Sequence, residues 1–347
     1  MRHRPRRIGG ATLTRRAVLR AGAAAGAAGL LGAGASGCAA DFAGTRVSVG
    51  AGFPQGVYYA LGEALADAWQ ERLDLRQRPG VLATAGSVQN LDLLRTGAAD
   101  VIFSAADVAD MALSDPTPTD PTPTDPRPSG APPPGRTPRA LARIYDDALQ
   151  VVVPADSPVT ALPELRGRRV SIGAADSGVI VIAQRLLAAA GLSAERDLTA
   201  SMLGIDESVA ALGRGDIEAF FWSGGLPTRG LADLATVRPI RLLDLSPAIA
   251  AVRRRYPVYD VGTVPAATYG IPNPVNTLLV RNFLLVAAEM PDPLAEALVA
   301  ALFDERERLV RANPSGRVID SRAAIGTQPV PLHPGARAYY RAAKDYD

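Results

Sequence analysis

The sequence predicts an α/β protein built as two lobes, and three observations carry that prediction. Short β-rich runs alternate with helix-period runs along most of the chain, the strand, loop, helix, strand rhythm of a parallel sheet. The length left after an N-terminal leader exceeds what one ordinary core supports and suits two domains. Hydrophobic content of 48% with 21% charged residues is that of a water-soluble globular chain, and no uncharged apolar run beyond Cys38 is long enough to span a bilayer.

The leader comes first. Thr14-Arg15-Arg16-Ala17-Val18-Leu19-Arg20 resembles a twin-arginine export signal, with Arg15 and Arg16 as its pair. The Ala/Gly-rich run that follows, residues 21–35, is about 15 residues long, the size of a signal-peptide apolar region and short of the roughly 20 needed to cross a bilayer. It ends at Ala35-Ser36-Gly37-Cys38. Small residues ahead of a cysteine resemble a bacterial lipobox, so residues 1–37 read as a lipoprotein signal peptide and Cys38 as the lipidated first residue of the mature chain. Cys38 is the only cysteine, which leaves no internal disulfide and makes lipid the simplest use of its sulfur. The expected location is extracytoplasmic, anchored to the cell membrane.

Removing the leader reverses the charge. It takes away seven arginines (Arg2, Arg4, Arg6, Arg7, Arg15, Arg16 and Arg20) and no acid, so a formal net charge of +2 becomes −5. The basic pI belongs to the export signal, and nucleic acid is not an expected partner.

The mature elements follow in order. Residues 46–50 read as a strand, 57–73 as a helix with Leu61, Leu65, Ala68 and Trp69 on one face, and 87–97 as a helix with Leu91 and Leu94 inward and Ser87 at its N-cap. Residues 100–104 form a buried strand. The D-P-T-P-T repeats and P-P-P of residues 115–138 remove backbone donors and fix φ, so this segment is expected to be a solvated, disordered insertion. Extended runs are expected at 143–145, 148–154, 169–173, 218–222, 259–264 and 276–286, and helices at 177–190, 208–213, 293–312 and 334–346. The expected organisation is residues 38–114 as the first part of lobe I, 139–150 leading to a hinge, 151–260 as lobe II, and 261–347 as the second part of lobe I with the C-terminal helices. The hinge is expected at residues 151–153 and 259–262.

An enzyme finds little support in the residue inventory. His3 leaves with the leader and His333 sits in a Pro-Leu-His-Pro-Gly turn, so no Ser-His pairing, no thiol nucleophile and no His/Cys metal cluster is expected. No phosphate loop of Walker type is present. Asp146-Asp147 is the one adjacent acidic pair on the approach to the second lobe, and it reads as a solvated turn.

Landmarks in order carry a family resemblance. These are Val49-Gly50-Ala51-Gly52 through Gly56-Val57-Tyr58-Tyr59, then Gly86-Ser87-Val88-Gln89-Asn90-Leu91 and Gly97-Ala98-Ala99-Asp100, then residues 104–108. The second lobe adds L-P-E-L-R-G-R-R-V at 162–170, the glycine/serine loop at 173–178, F-F-W-S-G-G-L-P-T at 220–228, Ala266 to Gly270, and P-V-P-L-H-P at 329–334. Together they resemble the TAXI-family solute-binding proteins of tripartite ATP-independent periplasmic (TRAP) transporters. Two features depart from that family: Gly52-Phe53-Pro54-Gln55 replaces a Thr-Gly-Gly run, which bears on ligand identity, and the proline-rich insertion is foreign to it.

The resemblance implies a periplasmic-binding-protein type II fold, each lobe a mixed, mainly parallel sheet with flanking helices, and a ligand cleft between lobes. It implies a non-enzymatic receptor for an amino acid or dicarboxylate, such as glutamate, that delivers its ligand to a TRAP-type permease. No cofactor or metal is expected, and the receptor is expected to act as a monomer. A surface sensor feeding a signalling receptor, or an enzyme on the same fold, is the alternative. Physics gives the expected site a form: helix N-termini offer unpaired N–H groups that can hold a carboxylate without an arginine. Such openings lie at Gly56-Val57-Tyr58, Gly86-Ser87-Val88 and Ser177-Gly178-Val179, with Gly52 allowing close approach. Asn90, Asp107, Trp222 and Ser223 are the candidate walls. Each has a plain alternative: Ser87 and Ser177 as helix caps, Tyr58 and Trp222 as core aromatics, Asp107 as an ion-pair partner.

Overall fold

The computed structural model describes residues 40–114 and 136–344. Arg15, Arg16, Cys38 and nearly all of the proline-rich insertion lie outside the described residues. The first half is built on strand β1 (Ser48–Gly50) and helix α1 (Val57–Arg72), whose Leu61, Leu65, Ala68 and Trp69 are buried as their spacing requires. Strand β2 (Gly80–Leu82), helix α2 (Ser87–Thr96), strand β3 (Val101–Ala105) and helix α3 (Ala106–Ser114) follow. The three strands pair in parallel in the order β2-β1-β3.

Strand β4 (Pro138–Pro154) then runs 17 residues without a break. The second half repeats the α/β plan with β5 (Arg169–Ser171), α4 (Gly178–Ala189), α5 (Ala194–Asp197), β6 (Thr199–Ser201), α6 (Ile205–Arg214) and β7 (Ala219–Gly224). It continues with α7 (Arg229–Val237), β8 (Ile240–Leu242), α8 (Ser246–Arg255) and β9 (Asp260–Val264). The long strand β10 (Val275–Ala287) returns to the first half, which α9 (Asp292–Asp304), α10 (Arg306–Ala312), α11 (Ser321–Ala324) and α12 (Pro334–Lys344) complete.

The predicted mixed α/β class is the one the chain adopts. The strand order β2-β1-β3-β10-β4-β7-β5-β6 places parallel trios at the two ends and the antiparallel pair β4 and β10 between them. Both long strands serve both halves. The start of β4 lies along β10 while residues 148–152 pair with β7, and β10 pairs with β9 through residues 275–279 and with β3 through residues 282–286. Runs such as Val151-Val152-Val153 and Phe283-Leu284-Leu285-Val286 are buried on both faces, which is why they read as continuous apolar strings instead of alternating ones.

Three local expectations change. The runs at 143–145 and 148–154 are one strand. The second crossing strand is β10, because β9 pairs with β10 only over residues 260–264 and ends there. The expected helix at 293–312 breaks at Glu305, whose carboxylate meets Arg72 at 3.1 Å and Arg308 at 3.4 Å and fastens the break to the end of α1. Short elements without apolar periodicity, among them β2, β6 and β8, carry no sequence signal of their own.

One apolar cluster packs α1, α9 and α12 on the first half around Trp69, Phe103 and Leu298, and another packs α6 and α7 on the second around Leu212, Phe220 and Leu231. A third is shared, joining Leu91 and Ile102 to Val151, Leu187, Phe221 and Phe283. The described residues accordingly form one compact unit.

Candidate functional site

Glycine-rich turns after strands deliver helix N-termini to a common point, and here four of them face one cleft of about 770 Å³, part of it open to solvent. Gly56-Val57-Tyr58 opens α1, Gly86-Ser87 opens α2, Ser177-Gly178-Val179 opens α4, and Gly204-Ile205 opens α6. The first two belong to one half and the last two to the other. No side chain caps α1, α2 or α4; the Asp176 carbonyl takes the Gln89 N–H of α2, and the other first-turn N–H groups are left for solvent or a ligand.

The structure brings together Gly52, Gly56, Val57, Tyr58, Ser87, Asp107, Ser177, Gly178, Val179, Trp222 and Ser223 around this cleft. Ser87 is the first helical residue and not the cap; its Oγ accepts the Ala105 N–H at 2.9 Å, tying α2 to the end of β3. Ser177 occupies the N-cap position of α4, but its hydroxyl turns back to the Ala174 carbonyl at 2.7 Å. Trp222 donates from Nε1 to Thr228 Oγ1 at 2.9 Å, which holds the indole against the cleft wall. Asn90 is the exception. It is fully buried, donating to the carbonyls of Ala51 (2.5 Å) and Phe103 (2.9 Å) and accepting from Thr84 Oγ1 (2.8 Å), so it clamps β1, β3 and α2 together behind the cleft.

The halves meet across the site. Gln89 N–H donates to the Asp176 carbonyl at 3.2 Å, and a Cβ at Gly178 would lie 3.2 Å from Ser87 Oγ and 3.6 Å from Ala105 Cβ, so glycine permits this approach. Behind the cleft, Asp107 of α3 accepts from Tyr259 Oη at 2.7 Å and from its neighbour Val108 N–H at 2.9 Å, with Arg185 of α4 at 3.9 Å. Burial raises the Asp107 carboxyl, against the opposing pull of Tyr259 and Arg185. Asp107 is thus both a wall of the cleft and a bridge between halves.

Sequence reasoning missed Tyr145 and Asp147. The pair Asp146-Asp147 is not a turn: it lies inside β4, where alternation places Tyr145 and Asp147 on the cleft and Asp146 on the other face, and the register shift between Arg143 and Tyr145 brings Arg143 within 2.5 Å of Asp146. Asp147 is 7% exposed and its Oδ1 has no hydrogen-bond partner. Burial pushes its carboxyl up to about 7; the Asn282 amide and Tyr145 hydroxyl pull the other way, while Asp146 adds to the rise. Tyr58 donates to Asn282 Oδ1, stacks on Phe103 with ring centroids 5.0 Å apart, and is held well above the usual phenol range by burial. The alternation Tyr145, Asp147 ahead of an apolar strand was the signal available. Among the described residues no arginine, lysine or histidine lines the cleft, and no group of His, Cys, Asp and Glu is arranged to hold a metal.

Several solved structures are similar to this chain at low identity. The periplasmic aliphatic sulphonate binding protein SsuA from Escherichia coli is 16% identical, with 85% of this chain and 78% of that one covered and a TM-score of 0.45. The alkanesulfonate-binding SsuA from Xanthomonas axonopodis pv. citri is also 16% identical, over 87% of this chain and 91% of that one, at 0.46. The substrate binding protein of an amino acid ABC transporter is 13% identical over 76% and 97%, at 0.42. Residues 49–343 match the NMT1-like family from the first strand to the last helix, and the chain belongs to that family.

Proposed function

We propose that this protein is an extracytoplasmic solute receptor that closes two α/β lobes on a small carboxylate-bearing molecule and delivers it unchanged to a TRAP-type membrane permease. The observation that carries this reading is the convergence of uncapped helix N-termini from both halves on one cleft. Their N–H groups and the positive ends of their dipoles favour an anionic group there without an arginine clamp. The residue order 14–38 supports export and attachment through Cys38, and the apolar strands β4 and β10 supply a hinge. The lobes so defined are residues 40 to about the middle of β4 with the end of β10 onward, and the segment between.

A thermal-shift screen of small amino and carboxylic acids at millimolar concentration tests the reading, since a ligand bound only by the native state raises Tm by mass action. At least one acid is expected to stabilise the protein, and a flat response across the screen removes the main support. Replacing Cys38 with alanine is expected to release the exported protein from the membrane fraction; retention unchanged by the substitution counts against the lipid anchor.

A further inference from the structure

The floor of the cleft is acidic, whereas its rim is built of amide donors. Asp107 is answered by Tyr259, the Val108 N–H and Arg185, but Asp147 Oδ1 is buried with no partner. The neighbouring cations face other groups: Arg143 holds Asp146, Arg281 reaches Asp260 at 3.6 Å and the Val258 carbonyl at 3.2 Å although its Nε makes no hydrogen bond, and Arg185 lies 4.1 Å over the Tyr256 ring. A buried carboxylate oxygen without a donor is costly even where the Asn282 amide and Tyr145 hydroxyl act on the same carboxyl, and an orphaned oxygen at a binding cleft is a place for a ligand's donor.

We infer that the bound solute carries a protonated nitrogen and that Asp147 is the residue that recognises it. This rests on the receptor reading above and narrows it. An ammonium group offers three donors and a charge opposite to the carboxylate, and the aromatic faces of Tyr58 and Trp222 in the same cleft suit a cation. A second carboxylate at that position would find no cation on the strand floor and would be repelled by Asp147 once ionised, so an amino acid is preferred there to a dicarboxylate. Its carboxylate takes the amide rim and its nitrogen the strand floor.

The test uses matched probes that differ by one nitrogen: L-glutamate against glutarate, 4-aminobutyrate against butyrate, L-alanine against propionate. The amine of at least one pair is expected to raise Tm while its counterpart does not. Asp147→Asn is expected to weaken that amine by roughly 10- to 100-fold, the loss of one charge-assisted hydrogen bond. If the nitrogen-free acids bind as well as the amines, or if the variant binds the amine unchanged, the inference falls and the receptor reading stands. No shift from any probe overturns both.

A second measurement needs no variant. Tyr58 of α1, Asp107 of α3, Tyr145 and Asp146 of β4 and Asn282 of β10 are the groups that act on Asp147 or its neighbours. None of them is a cation, so ionising Asp147 falls to the ligand. Calorimetry of the wild-type protein near neutral pH, in two buffers of different ionisation enthalpy, is expected to show proton release on amine binding; no release overturns the inference even if Asp147→Asn does not fold.

Discussion

A single carboxyl decides how this cleft responds to pH. Asp147 rises from 3.8 to about 7 because burial disfavours its charge, so the folded chain holds that proton more tightly than the unfolded chain does. The sign follows: the stabilisation is complete below about 3.8 and is lost as pH climbs through about 7, with a ceiling of roughly 4 kcal/mol. Ligand-free protein is therefore expected to lose urea resistance between about pH 4 and about pH 8, and Asp147→Asn is expected to flatten that decline and exceed the wild type at the alkaline end. The decline does not vanish, because the Asp107 carboxyl is raised in the same direction. Identical urea midpoints against pH for the two proteins would show that Asp147 is solvated. The misreading of this residue has a physical origin: adjacent acids look like a solvated turn by composition, and only their placement on opposite faces of β4, with a register shift that brings Arg143 to Asp146, separates them. Asn90 shows the reverse error, a polar side chain beside a predicted site that backbone carbonyls consume entirely.

At the scale of elements, what the sequence made legible is what glycine and apolar periodicity encode. The apolar stripe of α1 and the glycines before α1, α2 and α4 give three of the four helix mouths. The fourth, α6, escaped because its N-cap is Gly204, with no Ser, Thr or Asp there; Glu207 reaches back instead to accept the Gly204 N–H at 3.0 Å. Nor does periodicity reveal which extended run crosses between halves, since β9 and β10 are both extended and only pairing with β3 distinguishes them. The mouths also set a steric condition on closure. With a Cβ at Gly178 already 3.2 Å from Ser87 Oγ and 3.6 Å from Ala105 Cβ, a Gly178→Val branch would wedge α4 away from α2 and the end of β3. Overpacking of this kind costs about 1–3 kcal/mol, so the variant is expected to bind any stabilising solute roughly tenfold more weakly. The strain is confined to the closed interface, so its ligand-free Tm is expected to stay near the wild-type value. A large fall in that Tm would place the clash inside a lobe's own core.

For the whole molecule, two lobes on a cleft suggest independent domains, yet the packing argues for one cooperative body. β4 and β10 run through both halves, and the shared apolar layer joins Leu91 and Ile102 to Val151, Leu187 and Phe283. Asp107, Tyr259 and Arg185 stitch α3 to α4 behind the cleft, and Gln89 bonds Asp176 across it. In the proposed receptor, closure would be a flexing of β4 and β10 at the middle of one sheet, which a ligand would favour only by its extra affinity for the closed form. Unfolding one half would expose the other half's share of the common layer, at about 25 cal/mol per Å² of apolar surface, which disfavours a half-folded intermediate. Calorimetry is expected to show a single endotherm whose calorimetric and van't Hoff enthalpies agree, and a bound solute is expected to move that whole transition upward. Two separated endotherms, with the solute shifting only one, would mean that the common layer does not couple the lobes and that each folds on its own core.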